Sequence, residues 1–256
     1  MTVCGIHFML DLQCMTYDID KLEKWFKALS QLIIYIVHQE RCRVRFIEKV
    51  AGGLNHLADL VLPGPALCRP FYDTRWDASL LNKNGTMVRF KKNNANVKRL
   101  LKYSRIWLRI IRMRPVLPFY MALGLAKKQF HVFSDASGVV GMGGFAFFNN
   151  EIQYWCITFK ELLQRYNKKP DFFVEDPSTS IQMKEMLSLA FNVECFGEHA
   201  GSDVALCMNT DNLGLAANLA KFRAKHDNFT NDLIIWIYLY SLANNILMVP
   251  YHKFME

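Results

Sequence analysis

The chain has 256 residues, enough for one large domain or two modest ones, each able to bury a core. With 52% hydrophobic and 21% charged residues it has a globular composition, which excludes a chain disordered throughout. The formal charge of +8 is unevenly spread: residues 1–128 hold 22 lysines and arginines against 9 acids, and residues 129–256 hold 9 against 14, giving +13 and −5. A basic half joined to an acidic half points to a polyanion-binding surface beside a carboxylate-bearing site, the plain alternative being solvated surface charge.

The seven cysteines, at 4, 14, 42, 68, 156, 195 and 207, are odd in number and lack zinc-knuckle spacing. Reduced thiols in an intracellular protein, cytoplasmic or nuclear, are therefore expected rather than a disulfide framework. The first residues, Met1-Thr2-Val3-Cys4-Gly5, carry no basic stretch followed by an apolar core, so no signal peptide is expected. Leu233–Tyr251 is uncharged, but Ser241, Asn244, Asn245 and Pro250 interrupt it. Adjacent asparagines are costly in hydrocarbon, so a buried helix, an Asn-Asn turn and a buried strand are expected there instead of a membrane span.

In chain order, Ile6, Phe8 and Leu10 alternate and predict a short hairpin up to about Thr16. Asp18 or Asp20 then caps a helix carrying Leu22, Trp25, Phe26, Leu29, Leu32, Ile33 and Ile36, all read as core. A second helix is expected from about Val44 to Val61, with Gly52-Gly53 inside it, and Pro63-Gly64-Pro65 stops it. Another helix reaches about Leu81, and Lys83–Thr86 is a turn. A basic helix from about Asn96 to Arg112 sets Trp107, Leu108 and Ile111 opposite Lys98, Arg99, Lys102, Arg105 and Arg109. Pro115 and Pro118 close this mainly helical region, residues 1–128.

The pattern changes at about Gln129. Strands are expected at 129–133, ending in Ser134-Asp135, at Gly141–Phe148 and at Glu151–Phe159. Lys160–Asp176 is polar, contains Pro170 and reads as a loop or insertion. A helix at Ser180–Phe196, a buried strand at Val204–Met208, two further helices and a strand at Ile246–Val249 complete the order β-β-β-α-β-α-α-β.

Three acids fall at element boundaries: Asp135 after the first strand, Glu185 early in the helix, and Asp211 after the fourth strand. If those two strands pair in parallel, their acids meet at one sheet edge, where open α/β sheets bind ligands, and the helix brings Glu185 over the same edge. Carboxylates converging there repel, and oxygen-only ligation suits Mg²⁺ or Mn²⁺. Two such ions about 4 Å apart activate a water and stabilise the leaving oxygen of a phosphodiester. Taken singly, Asp135 also reads as a turn former, Glu185 as an exposed helix residue and Asp211 as an N-cap.

Phe133-Ser134-Asp135-Ala136-Ser137 with the Gly138–Gly144 strand resembles the start of the ribonuclease H domains of retroelement reverse transcriptases. Ile181-Gln182-Met183-Lys184-Glu185-Met186-Leu187 resembles their helix bearing a metal-binding Glu, and Asn209-Thr210-Asp211-Asn212 their strand end. The DIRS-like tyrosine-recombinase retrotransposons are the most similar group. Upstream, Cys4-Gly5-Ile6-His7 to Lys21-Leu22 resembles the last palm hairpin of such a reverse transcriptase, and the following helices its thumb and connection.

The resemblance implies a mixed five-stranded ribonuclease H-like sheet flanked by helices in residues 129–256. It implies hydrolysis of the RNA strand of RNA–DNA hybrids by Asp135, Glu185 and Asp211 with bound Mg²⁺ or Mn²⁺. The polymerase carboxylates would lie before Met1, so this chain is not expected to polymerise. The family's fourth acidic ligand would fall just beyond Glu256, so a truncated nuclease domain is expected, with His252 and Glu256 poor substitutes. A non-catalytic remnant that only binds nucleic acid is the alternative. A phosphotransferase of the actin and sugar-kinase group shares the topology but needs two copies of the fold. On either nucleic-acid reading Lys91, Lys92, Lys98, Arg99, Lys102, Arg105 and Arg109 grip phosphates in a salt-dependent way, and the 2′-hydroxyls and groove shape of the hybrid are read rather than its bases.

Overall fold

The structure, a computed structural model, describes residues 2–3, 6–118, 121, 126, 128–148, 151–166, 180–224 and 228–252. The chain divides into two compact units, Met1–Leu123 and Gly124–Glu256.

The first unit is mainly helical. Its strands β1 (Thr2–Val3), β2 (Ile6–Met9) and β3 (Cys14–Tyr17) form an antiparallel meander, and β6 (Val116–Pro118) joins β3. The β3–β6 pairing links residues far apart in sequence and leaves no local signal. Helix α1 (Ile19–Val37) starts at Asp18, whose side chain accepts from the Asp20 amide. It buries the stripe Leu22, Trp25, Leu29, Leu32 and Ile36. Phe26, expected in the core, is 38% exposed because it flanks that stripe one residue round from Trp25. Helices α2 (Val44–Leu57), α3 (Gly64–Trp76) and α4 (Ala95–Arg112) follow, with the two-stranded ribbon β4 (Arg41–Arg43) and β5 (Met87–Arg89). Helix α3 ends at Trp76, short of the expected Leu81. The Asp77 carboxylate there accepts from Ser79, Asn94 and Asn96, which turns the chain toward β5. Burial pushes the Asp77 carboxyl up, but these hydrogen bonds outweigh it and hold it at about 2.

The second unit is α/β. Strands β7 (Lys128–Ala136), β8 (Gly141–Phe148), β9 (Glu151–Thr158), β10 (Val204–Thr210) and β11 (Ile246–His252) form one mixed sheet in the order β11-β10-β7-β8-β9. β10 runs parallel to both its neighbours, whereas β7, β8 and β9 are antiparallel. Helices α5 (Phe159–Tyr166), α6 (Ile181–Ala200), α7 (Leu213–Ala220) and α8 (Asn228–Asn244) flank it. This arrangement is consistent with a ribonuclease H-like fold. Helix α6 packs on β7 and β8 and against α8, so Met186, Leu189, Ala190, Phe191 and Val193 are all buried. A Cβ on Gly144 would lie 2.3 Å from the Asn192 Oδ1, so the glycine permits this close approach.

Residues 160–166 are helical, not the loop expected from their polarity. Thr158 and Glu161 form a reciprocal capping box: the Thr158 amide donates to the Glu161 carboxylate and the Glu161 amide to the Thr158 hydroxyl. Residues 167–176 of that expected loop lie outside the described residues. Leu233–Tyr251 is a helix, a left-handed Asn245 (φ 53°) and a strand, as its polar interruptions imply. No helix among the described residues is long and apolar enough to cross a membrane. None of the six described cysteines is in a disulfide.

The two glycines of α2 separate propensity from packing. Gly52 has open space where a Cβ would stand, whereas a Cβ on Gly53 would fall 2.0 Å from the buried Trp25 ring. Gly52→Ala is expected to stabilise the first unit by about 0.5–1 kcal/mol. Gly53→Ala is expected to destabilise it by about 1–3 kcal/mol through overpacking. Urea denaturation of both variants checks the opposite signs.

Candidate metal centre

Asp135 is the penultimate residue of β7, and Asp211 is the first residue after β10. The parallel register pairs Asn209 with Phe133, and each acid lies two residues further along its own strand direction. Side chains alternate faces with a period of two, so both carboxylates leave the same face of the same sheet edge. Glu185 sits in the second turn of α6, which packs across β7. One carboxylate oxygen from each of Asp135, Glu185 and Asp211 lies within 4.8 Å of the other two. Asp135 and Asp211 are exposed and Glu185 is half-buried.

Asn212, which the sequence had not singled out as a functional residue, organises the cluster. It is the N-cap of α7: its Oδ1 accepts from the Leu215 amide at 3.1 Å. The same side chain donates from Nδ2 to the Glu185 Oε2 at 2.7 Å. Because Asn212 holds the cap, Asp211 is released from the capping role open to it in the sequence. The Asp135 Oδ1 accepts from the Ala136 amide at 2.7 Å. Ser137 builds the turn after it, its hydroxyl accepting from the amides of Val140 and Gly141. His252 lies against the backbone of the site, with Nε2 3.1 Å from the Asp211 carbonyl oxygen. Glu256 lies outside the described residues. Among the described residues the cluster therefore holds three carboxylates.

The donor set tests well against a hard divalent cation: three carboxylates, all oxygen, open to solvent on one side. Burial pushes the Glu185 carboxyl up. The Asn212 hydrogen bond works against this, and the charges of Asp211 and Asp135 push it further up, leaving it above its ordinary value. An acid so perturbed favours the folded state while it keeps its proton and withdraws that contribution as pH rises through the raised value. Protons and cations compete for the same oxygens, so metal binding weakens as pH falls through that value.

The seven candidate phosphate-binding cations lie in the first unit. Lys98, Lys102, Arg105 and Arg109 are exposed and fall at steps of four, three and four on one face of α4, and Arg112 extends the stripe. It runs about 21 Å at 1.5 Å per residue. Lys91 and Lys92 are exposed in the segment before α4, with the Lys91 Nζ donating to the Ser79 carbonyl. Arg99 turns inward: its guanidinium lies 3.7 Å from the Asp73 carboxylate and over the Tyr103 ring. From residue 78 to residue 134 there is no Asp or Glu, so α4 carries no acid to offset its cations.

No protein-family model matches this chain, and no curated protein matches it.

Because the three acids repel one another, Glu185→Gln is expected to raise the metal-free melting temperature at pH 7 by roughly 2–4 °C and to remove any further rise on adding Mn²⁺. Thermal melts in chelator and in Mn²⁺ read both effects. A lower metal-free melt with Mn²⁺ stabilisation intact contradicts the assignment.

Proposed function

We propose that the protein is a metal-dependent nuclease that hydrolyses the RNA strand of RNA–DNA hybrids, derived from a retroelement reverse transcriptase of the DIRS-like kind. The observation that carries this reading is the meeting of Asp135, Glu185 and Asp211 within 4.8 Å at the edge of a ribonuclease H-like sheet. Mg²⁺ or Mn²⁺ is the proposed cofactor. Such ions, when bound, activate a water and stabilise the leaving oxygen of a phosphodiester. The chain's own contribution is to hold their ligands. Asp135 and Asp211 stand at the ends of two paired strands, and Asn212 orients the Glu185 carboxylate from the N-cap of α7. The exposed stripe of α4 supports binding to a phosphate backbone, and the reduced thiols of the described cysteines support an intracellular setting.

The second reading is a remnant that binds hybrid without cleaving it.

The deciding assay is cleavage of an RNA–DNA hybrid with Mg²⁺ or Mn²⁺. Wild type is expected to cleave, and Asp135→Asn to lose at least about 100-fold in rate, as removal of a group that stabilises the transition state does. Cleavage surviving in Asp135→Asn sinks the site assignment, and binding without cleavage by wild type selects the second reading.

Hybrid binding is also expected to depend on α4. Reversing Lys98, Lys102, Arg105 and Arg109 to Glu should weaken it at least tenfold. The slope of log affinity against log salt should fall by about one per lost phosphate contact. Filter binding across a salt series measures both, and unchanged binding rejects α4 as the phosphate-gripping element.

A further inference from the structure

Lys184 is only 3% exposed, which is unusual for a lysine. Its ammonium donates to the Gly138 carbonyl and sits 5.0 Å from the centre of the Phe159 ring. A methionine would fill the same space without the loss of ammonium hydration, so packing alone does not explain a lysine here.

Its position does. Lys184 immediately precedes Glu185, and Gly138 lies three residues after Asp135. The Lys184–Gly138 bond thus ties the backbone of one metal-ligand candidate to that of another. A second tie lies on the other side of the pair. The Ser188 hydroxyl is 3.2 Å from the hydroxyl of Ser134, the residue just before Asp135. Glu185 is bracketed on α6 by Lys184 and Ser188, and Asp135 is bracketed on the sheet by Gly138 and Ser134. The two carboxylates, with an oxygen of each within 4.8 Å of the other, carry like charges that push apart. A cross-tie at each end of the bracket opposes that splaying before any cation arrives.

We infer that Lys184 is a positioning residue for the metal centre: its bond to Gly138 holds the β7–β8 turn against α6 and so keeps Asp135 and Glu185 at binding distance. The inference rests on the metal-binding reading proposed above. Lys184 touches no reacting atom. Its contribution is preorganisation, which raises cation affinity by removing the need to gather repelling ligands. Phe159 completes the site from the start of α5, so the capping box of that helix also sets the face on which the ammonium rests.

The test is Mn²⁺ binding to the full chain without nucleic acid, read by isothermal titration and by the free-ion electron paramagnetic resonance signal. Wild type, Lys184→Met and Lys184→Arg are compared. Lys184→Met is expected to bind Mn²⁺ at least tenfold more weakly with an unchanged far-ultraviolet circular dichroism spectrum, and Lys184→Arg to recover most of that affinity. Binding by Lys184→Met within twofold of wild type, or tighter, overturns the inference. If Lys184→Met does not fold, the wild-type chain supplies the answer. Mn²⁺ should slow hydrogen exchange several-fold at the Val140 and Gly141 amides, which belong to the turn that Lys184 holds. Unaltered exchange there overturns the inference as well. A wild-type chain that binds no Mn²⁺ rejects the metal centre itself, a result distinct from either of these.

Discussion

The parallel pairing of β7 with β10 is the constraint on which the second unit's chemistry depends. In that register Phe133 stands opposite Asn209, and the acids two residues beyond each leave the same face at the same edge. Because side chains alternate along a strand, slipping the pairing by one residue would send one carboxylate to the opposite face of the sheet. The core makes the register stringent. Val132 and Met208 are paired and fully buried, and every residue of β10 is buried. Apolar burial far larger than any carboxylate interaction therefore sets where the acids stand.

That enforcement has an electrostatic consequence. Three carboxylates within 4.8 Å oppose one another, and the surrounding structure is arranged to tolerate them. Asn212 donates to Glu185 while capping α7, so one side chain joins a helix start to a member of the acidic cluster. Buried Lys184 and the Ser134–Ser188 contact fasten α6 to the strand that carries Asp135. The polar groups behind the acids thus have two tasks, completing local backbone hydrogen bonding and fixing the geometry of a site that would otherwise open.

The first unit follows a different logic. Its helices bury one face each, such as the stripe Leu22, Trp25, Leu29, Leu32 and Ile36 of α1. On α4 the polar face is cationic throughout, and the chain is free of acids from residue 78 to residue 134. Partition of charge between two units that fold round separate cores lets one present a cationic helix face and the other gather carboxylates.

Much of this was legible in the sequence, for identifiable reasons. The 3.6-residue period of α1 and α4, the strand-like runs that become β8 and β9, and the asparagines that break Leu233–Tyr251 are local signals, and each matches the element that forms. The positions of Asp135, Glu185 and Asp211 at element ends were readable in the same way. Local signals also misled where they competed. The polarity of 160–166 concealed a capping box at Thr158 and Glu161, and Phe26 shares the helical period of α1 yet falls outside its buried stripe. Tertiary structure alone decided the β3–β6 pairing, the role of Asn212 and the burial of Lys184. It also brought the three acids to a common point. Each of these joins residues distant in the chain, and such contacts are set by how the elements pack, which no spacing along one segment can encode.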